Sequence, residues 1–263
     1  KRTNHAADSG NLSDIAASIL MRLLYAARYA RYDMLRAVSK LASKVSYWDK
    51  QCDIQLHRLI EYTRSTLTDR QIGWVGDDTN QLALHTYADA DYAGCPRTLR
   101  STSGGQLQVE GPNTCFPIAG RSVRQTSVTN STPEAEIVSL HCAIKNMTVP
   151  AMDLWSLLLP AGFKNIVNED NAACIQVIRT CKNPSMRTLN RLLGVDIRYL
   201  HEVLGTGNVS DLHLVYRKSD DMAADIHTKD FSSADKWKHV ASNINVINMD
   251  SLNERVASHV EQY

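Results

Sequence analysis

No apolar run in this chain approaches the ~20 residues that a bilayer span requires. The most apolar stretch, residues 152–159, is interrupted by Asp153 and closed by Pro160, so no membrane partner is expected. Charge of one sign is also missing. Lys and Arg total 29 against 28 Asp and Glu, a net charge of +1. A chain so balanced grips a polyanion only through a local basic patch. The six cysteines (52, 95, 115, 142, 174 and 181) are irregularly spaced, with no Cys-x-x-Cys. That argues against a zinc site or disulfide framework and for reduced thiols in an intracellular protein. Repeats and low-complexity segments are absent. Lys1-Arg2-Thr3-Asn4-His5 leads into no signal-peptide core, and with no initiator Met the expectation is a piece of a longer protein. What remains is ordinary globular composition, 43% hydrophobic and 22% charged, enough for one large domain or two small ones.

Residues 13–67 read as helical. Ser13 or Asp14, Asp33 and Asp49 are the expected caps. The stripes are Ile15, Ile19, Leu23 and Leu24; Leu35, Val38, Leu41 and Val45; and Cys52, Leu56, Leu59, Ile60 and Leu67. Such stripes must be buried against something. Gly76-Asp77-Asp78 breaks the pattern, and the boundary falls at about residue 75. After it the period becomes two: Leu82, Leu84, Thr86, Ala88 and Ala90 alternate with Ala83, His85, Tyr87, Asp89 and Asp91. Further strands are expected at 106–110 and 114–123, completing an antiparallel meander, then at 165–170 and 212–216. Helices are expected from Ser131, with a break at Pro150, and over 171–182, 189–204 and 220–231, with a last one from Ser232. The expected organisation is a helical segment over 1–75, an α/β domain with a five-stranded mixed sheet over 76–232, and a helical tail over 233–263.

Four acids stand where a metal site needs them. Asp89 and Asp91 share one strand face, roughly 7 Å apart; the alternative is an exposed strand end. Glu134 and Glu136 lie about 200° apart around a helix. Glu134 fits a capping box with Ser131, whereas Glu136 adjoins the buried stripe that starts at Ile137, so Glu136 is the chemical candidate. Asp170 ends a strand before a helix, where open α/β sheets face their ligands, or else caps that helix. Asp225 sits among Ala223, Ala224 and Ile226, or forms a surface pair with Lys229.

These residues carry a resemblance. Tyr87-Ala88-Asp89-Ala90-Asp91-Tyr92-Ala93-Gly94 resembles the Asp-Ala-Asp-Trp-Ala-Gly opening of the ribonuclease H domain in copia-type LTR retrotransposon Pol polyproteins. Arg100-Ser101-Thr102-Ser103-Gly104-Gly105, Ser131-Thr132-Pro133-Glu134-Ala135-Glu136, Asp170-Asn171-Ala172-Ala173 and Ala224-Asp225-Ile226-His227-Thr228-Lys229 are similar to four further motifs of that family, in its order. The likeness covers residues 86–231. A fainter one, in Arg31-Tyr32-Asp33-Met34 and 37–46, marks the N-terminal helices as the segment joining reverse transcriptase to ribonuclease H. Tyr92 departs from the family's Trp, and Arg191-Leu192-Leu193-Gly194-Val195 lacks its His.

The resemblance implies a ribonuclease H-like fold, with three antiparallel strands followed by two parallel ones. It implies a two-metal endonuclease that cuts the RNA strand of an RNA–DNA hybrid. Asp89, Glu136, Asp170 and Asp225 would be catalytic and hold two Mg²⁺ (or Mn²⁺), and Asp91 would play a supporting part. Carboxylates suffice for such hard ions. Arg97, Arg100, Arg121 and Arg124, opposed only by Glu110, are the candidate hybrid grip together with Asn171; the alternative for the arginines is a solvated edge. The expected partners are the hybrid and the reverse transcriptase domain of the same polyprotein, in a cytoplasmic or nuclear setting. No Tyr-x-Asp-Asp occurs, so polymerase activity is not expected. The competing reading is a decayed module of the same fold that only tethers nucleic acid or the polymerase.

Overall fold

The computed structural model describes residues 9–158, 164–182, 194–205 and 212–253. The chain forms two compact units, Lys1–Gln71 with Val246–Tyr263, and Ile72–Asn245.

The first unit holds α1 (Ser13–Tyr29), α2 (Leu35–Ala42) and α3 (Lys50–Ser65). Asp49 caps α3 as expected, accepting from the Cys52 N–H at 2.7 Å. The other expected caps are used differently. At the start of α1 the carboxylate of Asp53 accepts from the N–H groups of Asn11 and Leu12, at 2.6 and 3.2 Å. A side chain from another helix thus covers donors that a helix start leaves open. Asp33 is buried instead, accepting from the Arg31 guanidinium at 3.0 and 2.7 Å and from the Tyr62 hydroxyl at 2.6 Å. The buried face of α1 is Ala16, Leu20 and Ala27, one step around from the expected stripe, and Ile15 is half exposed. The α3 row of Cys52, Leu56 and Leu59 is buried as expected, while Ile60 and Leu67 are exposed. A short strand, β1 (Asp69–Gln71), pairs antiparallel with Val246–Asn248.

In the second unit β2 (Ala83–Asp91), β3 (Thr102–Gly111) and β4 (Thr114–Arg124) form the antiparallel meander. β5 (Lys164–Glu169) and β6 (Leu212–Tyr216) add in parallel on the other side of β2. The order β4-β3-β2-β5-β6 is the expected five-stranded mixed sheet, three antiparallel strands followed by two parallel ones. Pro117 lies on the edge strand β4, beside a register shift opposite Leu107 and Gln108; an edge is where a strand tolerates proline.

The helices are α4 (Thr132–Ala143), α5 (Val149–Leu158), α6 (Ala172–Thr180), α7 (Ile197–Leu200) and α8 (Ala234–Asn243). Pro150 does not break the first of them. α4 passes through a π turn, Ile144–Thr148, directly into α5, with Pro150 in its first turn. The wider turn accommodates the N–H that proline lacks. The start of the helix expected over 189–204 lies outside the described residues; its remainder is α7 and a π turn, His201–Gly205. The helix expected over 220–231 is two 3-10 turns, Ser219–Asp221 and Ala223–His227. Residues 233–263 divide between the units, α8 in one and Val246–Asn248 in the other.

Both sheet faces are covered. Gly104 and Gly105, neighbours on β3, point to opposite sides; Gly104 lies under Ala224, His227 and Thr228, Gly105 under Ala143 and Met147. On the α4 side Leu84, Leu107, Ile137, Leu140, Ile144, Val167, Ile178 and Leu200 form the core, each contributing about 1.5–3 kcal/mol by burial.

Candidate active site

The site is assembled from four separate elements. Asp89 stands near the end of β2, opposite Gly104, and is buried. The start of α4 delivers Glu136. Ser131 Oγ accepts from the Glu134 N–H at 3.3 Å, and the Glu134 carboxylate reaches back to the Asn130 N–H at 2.7 Å, one residue beyond a standard capping box. Glu134 is therefore engaged by the helix start. Glu136, on another face, is also buried, and its Oε2 has no hydrogen-bond partner. The Ser139 hydroxyl donates to the carbonyl of Asp89 at 2.7 Å, tying α4 to β2 beside the site.

Asp170 follows β5. Asn171, not Asp170, caps α6, its Oδ1 accepting from the Cys174 N–H at 3.0 Å. The Asp170 carboxylate is thereby left for the cluster. Carboxylate oxygens of Asp89, Glu136 and Asp170 all lie within 4.8 Å of one another. Asp91 stays outside this group: its carboxylate packs against the backbone of Gly94, where a Cβ would fall 1.7 Å from its Oδ2.

Asp225 arrives on the 3-10 turn Ala223–His227. Gly104 makes the approach possible, because a Cβ there would meet Thr228 Cγ2 at 2.5 Å and the Ala224 carbonyl at 3.1 Å. The Thr228 hydroxyl donates to Asp89 Oδ2. His227, wholly buried, donates from Nε2 to Gln106 Oε1 at 2.9 Å, and burial pushes it down to about 3, so it is neutral. The Asp225–Lys229 pair exists, at 2.6 Å, but Asp225 is only 2% exposed, so it is no surface pair. Lys229 Nζ also lies 3.4 Å from Asp89 Oδ1 and links Asp225 to the other three acids.

Burial, with the neighbouring acids second, raises three of these carboxylates. Glu136 is pushed up to about 11, by burial first and then by Asp89, Glu169 and Asp170. Asp225 is pushed up to about 7 by burial and by Asp89. Burial also raises Asp89, against the pull of Lys229 and the Thr228 hydroxyl. Glu169 belongs to this environment and escaped the sequence reading. It is fully buried at the end of β5, Oε1 accepts from the Asn171 N–H at 3.0 Å, and Oε2 has no partner. The detectable signal was a second acid directly before Asp170. The converging oxygens of Asp89, Glu136 and Asp170, with Glu136 Oε2 buried and without a partner, fit a divalent cation of the Mg²⁺ or Mn²⁺ kind.

Arg97 and Arg100 are exposed on the turn between β2 and β3, which is closed by Cys95 N–H to the Arg100 carbonyl at 3.3 Å. Arg124 pairs with Thr102, the partner of Asp91. These three arginines lie at the sheet end that carries Asp89. Arg121 sits farther along β4, paired with Gly105, and its Nε is buried without a partner. Asn171 spends Oδ1 on the α6 cap, which leaves its amide nitrogen as the group to offer a ligand.

No family model matches the sequence. The chain is similar to the retrovirus-related Pol polyprotein from transposon RE1 of Arabidopsis thaliana, 26% identical over 222 residues, or 83% of this chain. It is also similar to that from transposon RE2, 25% identical over 213 residues, or 78% of this chain. It spans only 14% and 13% of those relatives. Among solved structures it is similar to an RNase H1 isolated from compost, at 15% identity with a TM-score of 0.39, covering 56% of this chain and 92% of that one. A foamy viral protease-reverse transcriptase in complex with an RNA/DNA hybrid is similar at 14% identity with a TM-score of 0.44, covering 79% of this chain and 25% of that one.

Proposed function

We propose that the second unit is the ribonuclease H of a copia-type retrotransposon Pol polyprotein, a divalent-metal-dependent endonuclease that hydrolyses the RNA strand of RNA–DNA hybrids during reverse transcription. The observation that carries this reading is the convergence of Asp89, Glu136 and Asp170 within 4.8 Å, with Asp225 held beside them through Lys229.

Two Mg²⁺ or Mn²⁺ ions, when bound, supply water activation and charge relief at the leaving oxygen. The protein's own part is to present the ligands. Asp89 and Glu136 would hold the ions at the centre of the cluster, Asp170 would support the nucleophile, and Asp225 would hold the second ion. Thr228 fixes the Asp89 carboxylate, and Ser139 fixes the strand that bears it. Burial keeps bulk water out and strengthens every charge interaction in the pocket. Arg97, Arg100, Arg121 and Arg124 take backbone phosphates, and the Asn171 amide donates to sugar or phosphate oxygens. This is recognition of shape and 2′-hydroxyls, not of base sequence. The reverse transcriptase domain of the same polyprotein supplies the hybrid, with the helical first unit as the joining segment, in the cytoplasmic particle of the element.

The test is cleavage of a labelled RNA–DNA hybrid with and without Mg²⁺, with duplex DNA as control. We expect metal-dependent cutting of the RNA strand alone, lost in Asp89→Asn. Binding of the hybrid with no cutting at any Mg²⁺ or Mn²⁺ concentration would leave the non-catalytic tether as the better reading.

A further inference from the structure

Lys229 sits where a cation is wanted. Its ammonium lies 2.6 Å from Asp225 Oδ1 and 3.4 Å from Asp89 Oδ1, and both carboxylates are buried. On the other side of Asp89, among the described residues, no ammonium or guanidinium stands within ion-pair distance of Glu136, whose Oε2 is buried with no partner; Lys229 reaches that side only as a more distant charge. The four acids are thus compensated unevenly, with a cation in contact on the Asp89–Asp225 side and, among the described residues, only its more distant charge on the Glu136–Asp170 side. The Lys229 side chain is 37% exposed, so its stem has an open route to solvent. It is also anchored next to a fixed point, since its neighbour Thr228 donates to Asp89 Oδ2.

We propose that Lys229 is a placeholder for the second divalent cation: its ammonium occupies the seat between Asp89 and Asp225 and must swing out before an ion can enter there. The proposal rests on the two-cation reading of the site. An ammonium and a dication cannot share the same oxygens in a buried pocket, because like charges at contact repel strongly where water is scarce. Filling is therefore ordered. The first ion takes the Asp89–Glu136–Asp170 side, which no lysine occupies. The second competes with Lys229 and binds more weakly for that reason alone. The device keeps Asp225 from being a bare buried charge when metal is scarce, the situation that makes an isolated buried carboxylate so costly.

The test is Mn²⁺ binding by the full-length chain without nucleic acid, followed by electron paramagnetic resonance of free Mn²⁺, for the wild type, Lys229→Met and Asp170→Asn. We expect one ion in the wild type at low Mn²⁺ and a weaker second one. In Lys229→Met the second affinity rises by about tenfold or more, as loss of a contacting like charge requires, while the first, whose ligands lie farther from the ammonium, rises less. Asp170→Asn weakens the first ion specifically. Equal second-site affinity in the wild type and Lys229→Met overturns the placeholder and leaves the two-cation reading standing. Absence of any bound ion in all three proteins overturns both. A second measurement needs no variant: acetylation of Lys229 by a soluble acylating reagent in the wild-type chain. Its rate should rise several-fold as Mn²⁺ fills the second site, and a rate independent of Mn²⁺ overturns the proposal even if Lys229→Met fails to fold.

Discussion

Glu134 and Glu136 stand two residues apart, both buried, and do different things. The first closes the start of α4 on the Asn130 N–H; the second leaves an oxygen unbonded among other acids. Glu134→Gln should cost about 1 kcal/mol of stability, the size of a lost cap, read by denaturant unfolding, and leave cleavage intact. Glu136→Gln should abolish metal-dependent cleavage while the metal-free protein stays folded. Equal loss of cleavage in both would show that the face assignment is wrong. Protonation gives a second expectation. Glu136, pushed up to about 11 mainly by burial, has a folded value above its unfolded one. Its contribution to stability is therefore complete at low pH and is lost as pH rises towards that value. Between pH 7 and 9 Asp225 is past its midpoint near 7, and His227 is neutral in both states. Glu136 still carries a proton only when folded, worth about 1.4 kcal/mol per pH unit. Buried Glu169 and Asp89 are raised as well, so the metal-free protein should melt at lower temperature at pH 9 than at pH 7, and Glu136→Gln should reduce that slope without abolishing it; an identical slope in the two proteins would remove the burial argument. Sequence alone separated these two glutamates because helix geometry assigns faces without knowledge of the partner. It missed the second contact of Lys229, because Asp89 lies 140 positions away and nothing local reports that approach.

At the scale of elements, strands were the most legible, because period-two alternation and turn residues are local signals. β2, β4, β5 and β6 fall within a residue or two of expectation, while β3 starts four residues earlier, at Thr102, because its Gly104-Gly105 pair reads as a lead-in and not as strand. The joins between helices were not. Pro150 reads as a breaker, and a π turn carries no pattern of its own that would reveal α4 continuing into α5. The Asp225 segment reads as a helix by spacing but is held as a 3-10 turn by its contact with the sheet. That contact depends on Gly104. Gly104→Ala should place a methyl against Thr228 Cγ2 and the Ala224 carbonyl, cost about 1–3 kcal/mol as overpacking does, and lower cleavage by displacing Asp225 and Thr228. Gly105→Ala on the opposite face meets only the Met147 sulfur at 2.7 Å, the end of a flexible side chain, and should be milder in both respects. Cleavage rates and thermal melts of the two variants, side by side, check this; equal effects would mean that the 3-10 turn does not depend on the bare backbone at Gly104.

For the whole molecule, every carboxylate of the candidate site lies in Ile72–Asn245, whereas the first unit is drawn from both ends of the chain. The fold of the larger unit was readable because its motifs come in chain order. The closing of the smaller one was not, since Asp69–Gln71 pairs with Val246–Asn248 across the whole of the other unit. What holds the smaller unit together includes a buried charge network. Arg31 is clamped by Asp33, donates to the Thr66 carbonyl and hydroxyl at 2.9 and 2.8 Å, and stacks near the Tyr62 ring. Asp33→Ala would strand the Arg31 guanidinium in the interior without its counter-ion, a loss on the order of 3–5 kcal/mol for a broken buried pair. Because the acids and the arginines of the candidate site all belong to the other unit, the same substitution should leave hybrid cleavage near the wild-type rate at low temperature. The check is a paired measurement on the full chain, calorimetric melting alongside a cleavage assay well below the first transition. The expected outcome is an early transition confined to one unit with nuclease activity retained. Loss of cleavage at temperatures where Asp33→Ala is still folded would show instead that the helical unit is part of the catalytic machinery.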